Sequence, residues 1–131
     1  RLFTVYGMGQ RQGMLMANIL TASKESTPIT LNNNGEFFRD FIYIDDIVKE
    51  LTGAASTGGC MHISNLGTGI SVSIRTVVET FNKYLKNKVE IIYSDKKYGE
   101  PEKTLSDCST TKGHEMGIDE GIKDLIEKSN L

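Results

Sequence analysis

The residues best placed to do chemistry in this chain fall in one run, Arg39-Asp40-Phe41-Ile42-Tyr43-Ile44-Asp45-Asp46-Ile47. An arginine entering a strand among aromatics can offer a planar fork of N–H donors to a diphosphate, a geometry that lysine does not copy. The same arginine could instead be held in a structural ion pair by Asp40, Asp45 or Asp46. The Asp45-Asp46 pair also raises a metal site, but by itself it supplies too few oxygens for Mg²⁺ or Ca²⁺. A helix cap is the simpler reading, because apolar Ile47, Val48 and Leu51 follow at once. A carboxylate there would meet orphan amides and the positive end of the helix dipole.

Other chemistry-bearing residues are sparser. Gly67-Thr68-Gly69 stands ahead of a helical pattern and could form an anion nest. It lacks the third glycine of a dinucleotide fingerprint, and a tight turn is the plainer account. Neither Tyr6 nor Tyr43 has a lysine four residues later to lower its pKa, so both read as structural. Cys60, Cys108, His62 and His114 complete no metal-ligand spacing, and the cysteines are expected to be reduced structural thiols.

The elements that must position these residues can be read from periodicity. Residues 1–6 are rich in β-formers and stop at Gly7, and a polar, glycine-spaced loop follows to Gly13. Leu15, Met16, Ile19 and Leu20 predict a helix from Met14 to about Ser26, ended by Pro28. A strand is expected at 28–31, a turn at Asn32-Asn33-Asn34-Gly35, and extended structure from Phe37 to Ile44. The helix after Asp45-Asp46 should fade near Gly53. Residues 61–65 read as a short strand, and Ser71 or Ser73 should cap the clearest helix in the chain. Its Ile74, Val77, Val78, Phe81, Tyr84 and Leu85 recur at i, i+3, i+4, i+7, i+10 and i+11. Strands are further expected at 89–93 and 104–107, with a last helix from Asp119 that turns Ile122, Leu125 and Ile126 inward and has Gly121 as its weak point. Strands alternating with helices give an α/β fold, with too few strands for a complete doubly wound sheet.

With 131 residues, 38% of them hydrophobic, the chain is expected to form a single domain over 1–131. A formal net charge of −2 with no like-charge run argues against nucleic acid and anionic membranes as partners. No apolar stretch approaches the roughly 20 residues needed to cross a bilayer, and a cytoplasmic protein is expected. The first residue, Arg1, runs directly into a strand, which reads as a start inside a longer sequence.

Three ordered blocks carry a family resemblance. RDFIYIDDIV resembles the RDF-hydrophobic-V-D-D-hydrophobic signature of the extended short-chain dehydrogenase/reductases, the NAD-dependent nucleotide-sugar epimerases and dehydratases. Residues 1–7 are similar to that family's R-x-F-[NT]-V-Y-G strand, and 65–69 to its N-hydrophobic-G-x-G turn. The resemblance implies a fold that is the C-terminal, substrate-binding portion of such a protein, lacking the N-terminal Rossmann βαβ units. It implies that Arg39 clamps the diphosphate of a nucleotide-sugar, most simply a UDP-sugar. Thr4 and Arg11 match the UDP-glucuronate 4-epimerases, where they would hold the sugar carboxylate. Lys97 stands where an arginine usually holds phosphate or ribose. Met8 replaces the usual Pro, and the loop through Gly13 departs from the family's pattern.

The family's NAD-binding glycine motif and catalytic Tyr-x-x-x-Lys lie upstream of its R-x-F-[NT]-V-Y-G strand. The resemblance therefore implies NAD for the full-length family and no cofactor-binding or catalytic residue within this chain. Two roles stay open: the binding part of an isomerase or lyase, incompetent alone, or a stand-alone binding or oligomerisation module. A homo-oligomer, or a partner supplying the N-terminal half, is expected in either case, because unpaired strand edges and an apolar face are seldom left exposed.

Overall fold

The computed structural model describes residues 1–56, 63–96, 99–108 and 115–131. β1 (Thr4–Tyr6) leads through the glycine-spaced loop to α1 (Leu15–Glu25). Ser26 closes α1 in the left-handed conformation, ahead of Pro28. β2 (Ile29–Leu31) and a 3₁₀ turn (Asn32–Gly35) follow, with Asn33 and Asn34 at positive φ, as a turn built on Asn and Gly allows. β3 (Phe38–Tyr43) passes without a break into α2 (Ile44–Ser56). β4 (Ser71–Ser73), α3 (Ile74–Tyr84), β5 (Ile91–Tyr93) and α4 (Ile118–Lys128) complete the order.

The strands form two small sheets. In the first, β3 is central: β1 runs parallel to it with Thr4 opposite Phe41 and Tyr6 opposite Tyr43, and β4 runs antiparallel with Arg39 opposite Val72. In the second, β2 and β5 pair in parallel, Ile29 opposite Ile91. Tyr6, Phe41 and Tyr43 point from one face of the first sheet into the main core, where they meet Met16, Ile19, Val77, Val78, Phe81, Ile122 and Leu125 from α1, α3 and α4. Ile42 and Ile47 are buried outside that cluster, so β3 is covered on both faces. This explains why Asp40 to Tyr43 are all buried and show no polar alternation.

Several expectations need correction. Ser71–Ser73 is a strand, and Ser73 alone caps α3, its hydroxyl accepting from the Thr76 amide at 3.0 Å. Residues 104–107 form no strand; only a parallel bridge joins Phe38 to Lys103, where Thr104 N–H donates to the Phe38 carbonyl at 3.0 Å. Of the strand expected at 61–65, residues 61 and 62 lie outside the described residues, and 63–65 precede a single bridge between Leu2 and Leu66. Gly121 is no weak point, because α4 needs a glycine where it crosses Tyr6.

Candidate functional site

Arg39 enters β3 at the end where burial is incomplete: Phe38 and Arg39 are half-buried, and the four residues after them are buried. Its guanidinium lies 5.6 Å from the centre of the Phe37 ring. Nη1 donates to the Phe38 and Pro101 carbonyls, each at 2.8 Å, and Nη2 donates to Glu100 Oε2 at 3.1 Å. The Arg39 side chain is 15% exposed and that of Glu100 58%, so the ion pair joins a seated cation to a solvated carboxylate. Arg39 is therefore paired, but not with Asp40, Asp45 or Asp46. Glu100 is separated from it by 61 residues, and only the fold brings the two together.

Asp40 faces the other way and is fully buried. Its Oδ1 accepts from the amide and the hydroxyl of Thr68, both at 2.7 Å, and Oδ2 accepts from the amides of Gly69 and Ser106, both at 2.9 Å. The Gly67-Thr68-Gly69 turn is thus an anion nest whose anion is a carboxylate of its own chain. A Cβ at Gly67 would come within 2.5 Å of Ser106 Cβ and 2.9 Å of Asp40 Oδ2, so only glycine admits the approach. Asp45 and Asp46 stand in the first turn of α2, which begins one residue before them at Ile44, near the positive end of its dipole. Asp46 accepts from the Met116 amide at 3.1 Å, and Asp45 pairs with Lys128 at 3.3 Å.

Thr4 lies on β1 beside Phe41, two positions along β3 from Arg39 on the same face, and Arg11 is exposed in the loop after β1. Thr4 and Arg39 are brought to neighbouring strands, while Arg11 belongs to a separate loop. Lys97 lies outside the described residues. Shallow depressions of about 110 and 140 Å³ flank that loop, lined in common by Gly7, Met8, Gly9 and Gln10. Gln10 was missed from sequence: its amide donates to the Val5 carbonyl at 3.0 Å and accepts from the Ala17 amide at 3.3 Å, doing for α1 the work of a cap that Met14 cannot do. A lone polar residue in a polar loop gives no signal of that task.

Tyr43 and Tyr6 are structural in their surroundings. Burial, helped by the hydrogen bond it makes to Asp124, pushes the Tyr43 phenol up to about 12. Lys128, 3.5 Å from the same hydroxyl, also bonds Asp124 and holds that carboxyl below its usual range. Burial raises Tyr6 further, and its hydroxyl finds no hydrogen-bond partner among the described residues. Cys108 is a free thiol donating to the Gly67 carbonyl at 3.4 Å, while Cys60, His62 and His114 lie outside the described residues. No cluster of His, Cys, Asp or Glu able to hold a metal occurs among the described residues, and none of their helices is long and apolar enough to cross a membrane.

Residues 1–67 match the family described as the NAD dependent epimerase/dehydratase family. The chain is 34% identical to an uncharacterized UDP-glucose epimerase, YtcB, of Bacillus subtilis, over 86% of this chain and 36% of that protein. It is 30% identical to a UDP-glucuronate 4-epimerase of Thermodesulfobacterium geofontis, over 98% of this chain and 42% of that one. Among solved structures it superposes on MoeE5 in complex with UDP-glucuronic acid and NAD, with a TM-score of 0.85 and 27% identity, covering 99% of this chain and 46% of the other. The chain therefore spans less than half the length of these relatives.

Proposed function

This chain belongs to the NAD-dependent epimerase/dehydratase family, and from that premise we propose that it forms the nucleotide-sugar-binding portion of such an enzyme, as one unit over residues 1–131, without supplying the hydride-transfer chemistry itself. The observation that carries the reading is the state of Arg39. Its Nη1 is fixed by two carbonyls, while the Nη2 partner among the described residues is a solvated carboxylate. A diphosphate can replace Glu100 at Nη2 with little rearrangement, and the exchange favours the ligand because a phosphate offers more charge and more acceptor oxygens. Hydrogen bonds to charged groups are worth about 1.5–3 kcal/mol each, enough for one arginine to decide whether a nucleotide stays bound.

Thr4, on the strand beside that of Arg39, and Arg11, in the loop that follows Thr4's strand, would read the sugar. A guanidinium matches a glucuronate carboxylate, and the likeness to a UDP-glucuronate 4-epimerase supports that choice over a neutral sugar. Lys97 would add charge to the phosphate end. The depressions beside the loop are smaller than the roughly 300–1,000 Å³ of a small-molecule site and are lined by none of these residues, so in this reading the nucleotide-sugar does not lie in either of them alone.

NAD, which the solved relative binds, is in this reading held by residues outside this chain. The Gly67-Thr68-Gly69 turn, which resembles an anion-binding turn, is already filled by the Asp40 carboxylate. No step is therefore assigned to this chain beyond binding and orienting the nucleotide-sugar.

The test is a calorimetric and thermal-shift titration with UDP, UDP-glucose and UDP-glucuronic acid, repeated on Arg39→Ala, because a ligand of the native state raises its apparent stability. Saturable binding, tightest for the glucuronate and lost in Arg39→Ala, is the expected result. Equal binding by wild type and Arg39→Ala would remove the diphosphate role from Arg39.

A further inference from the structure

The segment that meets Arg39 is tied to the rest of the fold at separate points. Residues 100–106 run beside β3, with Phe38 N–H donating to the Glu102 carbonyl at 2.8 Å and Thr104 N–H returning to Phe38 at 3.0 Å. Both bonds fall on Phe38, so by themselves they act as a pivot. Pro101, whose carbonyl holds the Arg39 guanidinium, sits on one side of that pivot, and Ser106 sits on the other. The Ser71 hydroxyl adds a bond to the Thr104 carbonyl at 3.2 Å, next to the pivot, and farther out the bond from the Ser106 amide to Asp40 stops the segment from swinging. Because the same carboxylate also takes the Thr68 and Gly69 donors, the stop is tied to a third stretch of chain.

We propose that Asp40 is a positioning residue for Arg39, its buried carboxylate locking residues 100–106 against β3 and the 67–69 turn so that the Pro101 carbonyl holds the guanidinium in place to receive a diphosphate. This rests on the reading of Arg39 given above. Every group around Asp40 donates, and three of the four are backbone amides. An asparagine offers one acceptor and one donor, so whichever way it turns, at least one buried amide faces another donor. The lock is therefore specific for a carboxylate, and Asp40→Asn should release it without changing side-chain volume.

The experiment reads Arg39 directly. In the free protein, the guanidinium ¹H–¹⁵N signals, assigned by their loss in Arg39→Lys, should be sharp and dispersed. They should broaden toward averaged positions in Asp40→Asn while the core methyls of Val77, Val78 and Ile122 keep their shifts. UDP affinity should fall roughly tenfold or more, the scale of a misplaced site residue, with no further loss when Asp40→Asn is added to Arg39→Ala. Thr68→Val, which leaves the amides of Thr68, Gly69 and Ser106 in place, should move the same readouts less and covers the case in which Asp40→Asn does not fold. Arg39 signals unchanged in these variants, or losses that add in the double variant, would overturn the proposal. If Arg39→Ala binds UDP as wild type does, the diphosphate reading fails by itself, and the guanidinium signals still decide whether Asp40 positions Arg39.

Discussion

Gly121 in the sequence reads as a cost, since a glycine inside a helix gives up about 1 kcal/mol relative to alanine. In the fold it is a contact. A Cβ there would lie 2.1 Å from Tyr6 Oη and 2.9 Å from Tyr6 Cζ, far inside any van der Waals separation. Overpacking of this kind typically costs 1–3 kcal/mol, so Gly121→Ala should destabilise the protein by about that amount despite the better helix former. Tyr6→Phe removes the nearer of the two clashing atoms and so should recover part of the loss, and because that hydroxyl is buried without a partner among the described residues, the change alone should be close to neutral. Urea denaturation of the two single variants and the pair checks this; a Gly121→Ala protein as stable as wild type would refute it. Tyr43 gives a pH prediction. Its folded pKa is raised from 10.0 to about 12, so its neutral form is favoured by folding, and the stability this brings is complete below pH 10 and lost as pH rises toward 12. Tyr6 is shifted in the same direction. Alkaline unfolding should therefore steepen across that window, and more shallowly in Tyr43→Phe, followed by circular dichroism against pH.

At the scale of elements, what the sequence made legible follows the length of the repeating pattern. α3 was readable because its apolar positions recur over three turns and Val77, Val78, Phe81 and Leu85 are buried as that stripe requires. Ser73 should be worth about 1 kcal/mol as its cap, so Ser73→Ala is expected to lower stability by that amount in chemical denaturation, whereas Ser71→Ala, whose hydroxyl only reaches the Thr104 carbonyl, should cost less. Equal losses would mean that the cap is not the source. β4 was not legible: three residues show no alternation, and its pairing with β3 depends on chain more than thirty residues away. The strand expected at 104–107 failed for the opposite reason, since its residues have strand character but spend their hydrogen bonds on Phe38 and Asp40 singly. In the candidate site, Arg39 stands out in the sequence by its residue type and neighbours. Its partner Glu100 and the cradle of Asp40 do not, because each joins segments that only the fold makes adjacent.

At the scale of the molecule, four of the exposed apolar residues gather in one region. Leu2, Ile63, Ile70 and Leu105 are 47–74% exposed, and all flank the segments that meet around Leu66 and Gly69: Leu2 bridges Leu66, the Arg1 amino group binds the Ser64 carbonyl, and Leu105 precedes the Ser106 that binds Asp40. β1 is also an edge strand of its sheet. Fully covering one such side chain is worth about 1.5–3 kcal/mol, so shielding several of them can support association even after the cost of bringing two molecules together. Two occupants are conceivable, a second copy of this chain or further chain of the kind that makes up the rest of the relatives' length, and they differ in what dilution does. Sedimentation velocity over a wide concentration range should show reversible self-association that weakens by at least about tenfold in an Ile63→Lys, Leu105→Lys variant, because losing the burial of one large apolar side chain already exceeds the 1.4 kcal/mol that a factor of ten represents. A monomer at every concentration would mean that copies of this chain do not cover the surface.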